Sequence, residues 1–197
     1  MPTVLFIPGA RTHRDDYPHN DILGDIEVCG YSTRFVPIEW WTDDSRERRT
    51  GWDDWLPQVK PVYDQYQVDE VVLVGFSVGA LLAFALAAER SPASLWLVGM
   101  SPYFPEDLPH LKPGLLARYD EAAMAAFRRL QFEAWTAAIT CPTQILVGEH
   151  DLERTKVRAW ATHRAIAGSQ LTLVPGVGHS LAGICRLTLM STAMAAL

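Results

Sequence analysis

The sequence contains few cysteines, and their positions argue against two classes of small protein. The 197 residues include three, Cys29, Cys141 and Cys185, and no two of them have a C-x-x-C spacing. An odd, scattered set argues against a disulfide framework and against a zinc ribbon. We therefore expect three small, partly buried hydrophobic side chains.

The chain also lacks an excess of positive charge and a long apolar run. It has 17 Lys and Arg and 23 Asp and Glu, which gives a formal net charge of −6. The basic residues form no stripe along the sequence of the kind that binds nucleic acid. The longest apolar stretch, residues 78–88, is far shorter than the ~20 residues that span a bilayer. No signal-peptide pattern precedes the first apolar run. We expect a cytoplasmic protein that neither binds nucleic acid nor spans a membrane.

Short runs rich in branched and aromatic residues are abundant, and they predict strands. Five of these runs are continuous, which is typical of parallel strands buried on both faces. They are residues 4–7, 70–74, 95–98, 143–147 and 170–174. A sixth, weaker run, residues 33–40, alternates more and is placed nearer an edge of the sheet.

Helical patterns lie between these runs. They cover residues 54–66 (with a kink or later start at Pro61), 78–89, 120–138 and a C-terminal stretch, 181–197. Alternation of strand and helix predicts an α/β fold, a mainly parallel twisted sheet of about six strands with helices on both faces. We expect one domain, residues 1–197, with residues 102–140 as a short insertion containing one clear helix.

Ser77 is the first candidate for chemistry. It lies in Gly75-Phe76-Ser77-Val78-Gly79, a G-x-S-x-G pattern between a predicted strand and a predicted helix. This pattern is typical of a nucleophile elbow, a tight turn that exposes the serine hydroxyl at a helix N-terminus. Because ligands bind at the carboxyl ends of parallel strands, the position favours a functional serine over a purely structural turn.

A serine hydroxyl needs a base, and His179 is the preferred candidate. It follows the last predicted strand in Pro175-Gly176-Val177-Gly178-His179, whose glycines allow the loop to bring the imidazole over the sheet edge. The other histidines lie in long loops, inside a predicted helix or beside a better acid candidate. Two carboxylates that could orient the imidazole, Glu149 and Asp151, follow the strand at residues 143–147. Asp151 is preferred, with Glu149 as the alternative, because a loop needs a few residues beyond the strand to turn over the sheet edge.

An oxyanion hole requires preorganised backbone N–H groups. Val78, the residue after the serine, is expected to provide one, and Ala10, in the loop after the first strand, the other. Gly9 allows that loop to point its donor inward. The aromatic side chains that follow strand ends are candidates for an acyl pocket, although packing is expected for at least half of them: Trp40, Trp41, Trp52, Trp55, Tyr103 and Phe104.

Taken together, these motifs resemble the α/β-hydrolase superfamily over nearly the whole chain. The order Ser77, Asp151, His179 matches the order in that superfamily, Gly148-Glu149-His150-Asp151 resembles its acid loop, and residues 175–179 resemble its histidine loop. The sequence departs at Pro8-Gly9, where many relatives have His-Gly. The resemblance implies a small, nearly capless serine hydrolase.

The leading hypothesis is a cofactor-free, metal-free carboxylic-ester hydrolase that forms an acyl-enzyme on Ser77. An acyl thioesterase is the alternative, since the same three residues serve both reactions. A binding protein that keeps the fold without the chemistry is a hypothesis from another class. A metal-dependent enzyme built on His13, Asp15, Asp16 and His19 is a third, although their spacing matches no metal-site signature. The substrate is expected to be a small ester or thioester.

Overall fold

The computed structural model describes residues 3–10, 23, 26–27, 30–42 and 47–179, and these contain one six-stranded sheet. Every strand runs parallel to its neighbours, in the order β2-β1-β3-β4-β5-β6. The prediction of a parallel α/β fold is confirmed. The strands are β1 (Thr3–Ile7), β2 (Ser32–Phe35), β3 (Val71–Phe76), β4 (Ser94–Val98), β5 (Thr143–Gly148) and β6 (Gln170–Val174).

Six α-helices accompany the sheet, besides helical residues at 23 and 26–27, in the described part of the chain. Alternate strand residues place one apolar cluster on each face, so the inner strands are covered on both sides. The larger cluster joins Leu5, Leu73 and Leu97 to the long helices, and the smaller one includes the helical residue Ile26. The helices are α1 (Trp52–Tyr63), α2 (Val78–Glu89), α3 (Pro113–Leu116), α4 (Glu121–Phe127), α5 (Phe132–Ala138) and α6 (Glu153–Ala165).

Strand β2, which corresponds to the weaker run predicted over residues 33–40, lies at a sheet edge as expected. It ends at Phe35 instead of continuing to residue 40. Val36 still donates its N–H to Phe6 O at 2.9 Å, but the next residue, Pro37, has no N–H to donate to a strand ladder. The predicted C-terminal helix, Cys29 and Cys185 lie outside the described residues. No helix within the described ranges is long and apolar enough to cross a membrane.

The helix predicted over residues 120–138 is two helices, α4 and α5, so the prediction of one continuous helix was wrong. The break begins with short-range bonds, because the N–H of Arg129 donates to Ala126 O and that of Leu130 to Phe127 O. Such bonds tighten the last turn of a helix. The break leaves both Phe127 and Leu130 buried in the larger cluster, which stabilises the bend.

Helix α1 begins two residues earlier than predicted and continues through both Pro57 and Pro61. Both prolines are exposed, so the carbonyls that lose their helical partner lie on the side of the helix that faces water. The opposite side buries Trp55 and Val59 completely. Tertiary packing therefore outweighs the cost of two internal prolines.

Candidate active site

Ser77 lies between β3 and α2 in a strained backbone conformation. Its φ of 56° and ψ of −117° make it the one non-glycine residue with positive φ in the described part of the chain. Its own N–H donates to Val98 O at 2.8 Å, and its carbonyl accepts from Ser101 N–H at 3.1 Å. Bonds to the neighbouring strand and the loop after it thus hold the turn in a conformation that an isolated serine would avoid.

The two glycines of the motif are required because backbone passes directly over them. A Cβ at Gly75 would lie 2.4 Å from the carbonyl oxygen of Gly79, and one at Gly79 would lie 2.2 Å from that of Ile7. Both distances are far inside van der Waals contact. The G-x-S-x-G spacing therefore follows from the close approach of β1 and α2 to the turn.

His179 joins Ser77 to Asp151 in a continuous hydrogen-bonded chain. Its Nε2 lies 3.0 Å from Ser77 Oγ, and its Nδ1 lies 2.9 and 3.0 Å from the two carboxylate oxygens of Asp151. A carboxylate only accepts, so Nδ1 carries the proton and Nε2 is left to accept the serine O–H. The imidazole also stacks on Phe76, with ring centroids 5.2 Å apart.

Asp151 is 5% exposed, and its Oδ1 also accepts the N–H of Leu152 at 2.6 Å. It therefore contacts the start of α6 and the imidazole at once. Glu149 lies at the exposed end of β5, where its carboxylate accepts the N–H of Gly176 at 2.8 Å. Glu149 therefore accepts a hydrogen bond from the loop that carries His179, whereas Asp151 contacts the imidazole ring itself.

The groups proposed for an oxyanion hole lie beside Ser77. Val78 is the first residue of α2, so its N–H is among those without a partner inside the helix. Ala10 follows the first strand and lines the same cavity as Ser77 and Val78. Backbone N–H groups in this position can stabilise negative charge that develops beside the serine hydroxyl.

A cavity of about 300 Å³ opens onto these residues. This volume is at the lower end of the usual range for small-molecule sites. Its apolar wall includes Tyr103 and three leucines, Leu111, Leu115 and Leu152, two of which belong to the predicted insertion. An acyl chain of a few carbons fits a wall of this kind.

Most of the aromatic candidates for this wall pack elsewhere. Trp40, Trp52, Trp55 and Phe104 belong to the larger apolar cluster, and Trp41 is packed against it. Of the six candidates, Tyr103 is the one that lines the cavity. The expectation that packing accounts for at least half of them agrees with this placement.

Sequence reasoning missed several polar residues of the cavity, among them Ser101 and Arg49. Ser101, after β4, is 7% exposed, and its Oγ lies 3.1 Å from Ser77 Oγ. Its position two residues beyond Gly99, at the carboxyl end of a strand, was a signal that could have identified it. Arg49 also lines the cavity. It lies in a charge-rich loop with no motif, so the sequence offered no comparable signal for it.

No group of three metal-binding side chains occurs within the described ranges. The residues of the metal hypothesis, His13, Asp15, Asp16 and His19, lie outside them.

Comparison with solved structures identifies the fold. Est1E from Butyrivibrio proteoclasticus, with ferulic acid bound, superposes with a TM-score of 0.78 at 16% identity, covering 99% of this chain and 86% of Est1E. MenH from S. aureus gives 0.69 at 15% identity, with 98% and 92% covered. MGS-MChE2, an α/β-hydrolase enzyme from a lagoon-sediment metagenome, gives 0.70 at 14% identity, with 99% and 89% covered.

These similarities and the parallel sheet show that the chain has the α/β-hydrolase fold, as the sequence motifs predicted. No protein-family model matches the sequence, and no curated protein matches it either. At such low identity the structural neighbours define the fold, and the chemistry has to be argued from the site.

Proposed function

We propose that the protein is a serine hydrolase that cleaves a carboxylic ester through an acyl-enzyme on Ser77. The observation that carries the proposal is the chain of hydrogen bonds from Ser77 Oγ through the imidazole of His179 to Asp151, at 3.0 and 2.9 Å. Ser77 and His179 line a cavity of about 300 Å³, which can hold a short acyl chain. The similarity to Est1E, whose structure holds ferulic acid, adds support.

In the acylation step Ser77 Oγ attacks the ester carbonyl while its proton passes to His179 Nε2. Asp151 stabilises the imidazolium that forms, and the N–H groups of Val78 and Ala10 face the oxygen that gains negative charge. When the intermediate collapses, the imidazolium donates its proton to the leaving alcohol. The acyl group is left bonded to the serine.

Deacylation repeats the same steps with water as the nucleophile. His179 takes a proton from the water, the hydroxide adds to the acyl carbonyl, and the carboxylic acid leaves as Ser77 regains its proton. A thioester follows the same path with a thiol as leaving group. We give preference to the ester because it needs protonation of the leaving oxygen, which the imidazole is positioned to provide.

The first test is covalent labelling with a fluorophosphonate, which reacts with activated serines. We expect stoichiometric labelling at Ser77, located by peptide mass spectrometry, and hydrolysis of p-nitrophenyl esters of short acyl chains. Acyl thioesters of the same lengths run in parallel decide between the two substrate classes. A folded protein that takes up no label at Ser77 would support the non-catalytic binding protein instead.

A second test compares Asp151 with Glu149, the two carboxylates that follow β5. We expect Asp151→Asn to lower kcat/KM by about 10³–10⁴, because the amide no longer stabilises the imidazolium or fixes its tautomer. Glu149→Gln should change kcat/KM no more than about threefold, since an amide oxygen can still accept the N–H of Gly176, as the glutamate does. Equal losses in the two variants would contradict the assignment of Asp151.

A further inference from the structure

Arg49 is a buried cation without a carboxylate partner in the described part of the chain. It is 8% exposed, and it takes part in none of the ion pairs found among the described residues. Its Nε is buried and has no hydrogen-bond partner among the described residues. By comparison, the buried guanidinium of Arg158 contacts the carboxylate of Asp107. A buried charge is normally paired, so the lone cation calls for an explanation.

The surroundings of Arg49 hold it firmly without neutralising its charge. Its guanidinium lies 5.2 Å from the ring centroid of Trp41 and 5.8 Å from that of Tyr119. One Nη donates to the Tyr119 hydroxyl at 3.1 Å, and the Arg49 backbone N–H donates to Arg118 O at 2.9 Å. The side chain is therefore preorganised between aromatic rings, as arginines that bind anions often are.

Arg49 is one of the residues that line the cavity containing Ser77 and His179. The other charged lining residue is Arg154, and no Asp or Glu lines the cavity within the described residues. The chain as a whole has a net charge of −6. Among the described lining residues both charged side chains are arginines, and such a cavity in an acidic protein attracts anions. Arg154 already binds Asp107, at 2.9 Å, which leaves Arg49 as the lining cation without a carboxylate partner among the described residues.

We propose that Arg49 binds a carboxylate of the substrate, so that the preferred substrate is a small ester carrying a negatively charged carboxylate besides the bond that is cleaved. A carboxylate matches the planar guanidinium and supplies the missing counter-charge. This inference rests on the proposed hydrolase function of Ser77. The apolar wall of the cavity would then contact the carbon chain between the ester and the carboxylate.

The test uses pairs of esters that differ in charge and little in shape. On the acyl side, the mono-p-nitrophenyl ester of adipate is compared with a neutral ester in which an isopropyl group replaces the terminal carboxylate. On the leaving-group side, p-carboxyphenyl acetate is compared with p-acetylphenyl acetate. We expect the wild-type kcat/KM to be at least roughly tenfold higher for the anionic member of one pair. No preference in either pair would overturn the proposal without touching the role of Ser77.

Variants of Arg49 then locate the preference. Arg49→Met should lower the ratio of anionic to neutral kcat/KM by roughly 10–100-fold, and Arg49→Lys by less, since lysine keeps the charge without the planar fork. Arg128→Met is the matched control, because it removes one positive charge from an exposed helix position. It should leave the ratio unchanged. A folded Arg49→Met protein with the wild-type ratio would contradict the proposal, and the wild-type and lysine data decide if that variant does not fold.

A binding measurement separates this inference from the proposed function. Titration of adipate and the neutral hexanamide into the Ser77→Ala protein needs no turnover. We expect adipate to bind more tightly than hexanamide, and Arg49→Met in the same background to raise the Kd of adipate at least about tenfold. If Ser77→Ala remained active but this difference held, the nucleophile would be wrong and the carboxylate site right.

Discussion

Replacing Ser77 by alanine should lower kcat/KM by about 10⁴–10⁶ while leaving the protein folded, because the nucleophile is lost and only binding and the oxyanion groups remain. The same loss is expected for Ser77→Gly, since neither side chain carries a hydroxyl. The measurement is hydrolysis of a p-nitrophenyl ester, with residual rates corrected for the uncatalysed reaction. Activity above about 1% of wild type in either variant would show that another group attacks the ester.

The two variants should differ in stability, and this difference tests the strained turn independently of activity. At φ 56° and ψ −117°, alanine keeps the strain of the wild-type serine, whereas glycine adopts this conformation freely. Strain of about 1–3 kcal/mol is relieved, and the greater freedom of glycine in the unfolded chain offsets about 0.5–1 kcal/mol of it. Urea denaturation should therefore find Ser77→Gly more stable than Ser77→Ala by about 1 kcal/mol. Equal stabilities would mean that the turn is not strained.

The fold was predictable because its signals are local. Each inner strand is a continuous apolar run, and the turn at Ser77 carries two glycines that the approach of β1 and α2 requires. The three residues Ser77, Asp151 and His179 were found because each follows a strand end, and parallel strands bring those ends to one edge. Position after a strand, together with the local motifs, was sufficient to predict that these residues lie together.

What could not be predicted depends on contacts between distant parts of the chain. Arg49 is meaningful because Tyr119 and Trp41 enclose it and because it reaches the cavity, and nothing in its neighbours along the sequence indicates this. The break between α4 and α5 has the same origin, since packing of Phe127 and Leu130 decides it while helical periodicity continues through it. Local patterns describe elements well, and tertiary contacts decide their ends and their polar partners.

The second large effect is expected for stability, at a buried ion pair that joins the insertion to α6. The Asp107 side chain is 0% exposed and accepts Nε–H bonds from Arg158 at 2.8 Å and Arg154 at 2.9 Å. Burial raises the pKa of the Asp107 carboxyl, and the charges of the two arginines oppose that rise. The guanidinium of Arg158, 4% exposed, packs against the rings of both Phe104 and Phe132, with its carbon 4.7 and 4.3 Å from their centroids.

Asp107→Asn should lower the free energy of unfolding by about 3 kcal/mol, because it leaves the cation of Arg158 in an apolar environment without its main counter-charge. This is the lower end of the usual 3–5 kcal/mol, since Glu106 still contacts Arg158 at 2.7 Å. Urea denaturation measures the loss. The control, Glu121→Gln, breaks an exposed pair with Arg128 and should cost less than about 0.5 kcal/mol.

A double-mutant cycle shows that the loss comes from the uncompensated charge. Adding Arg158→Met to Asp107→Asn removes the cation and leaves an unbranched apolar side chain against Phe104 and Phe132, where sulfur–aromatic contacts are favourable. We expect the double variant to be more stable than Asp107→Asn alone by about 2 kcal/mol, because no unpaired charge remains buried. The cycle also requires the single variant Arg158→Met. If the losses of unfolding free energy in Asp107→Asn and Arg158→Met simply added in the double variant, Asp107 and Arg158 would act independently, and their ion pair would not be what joins the insertion to α6.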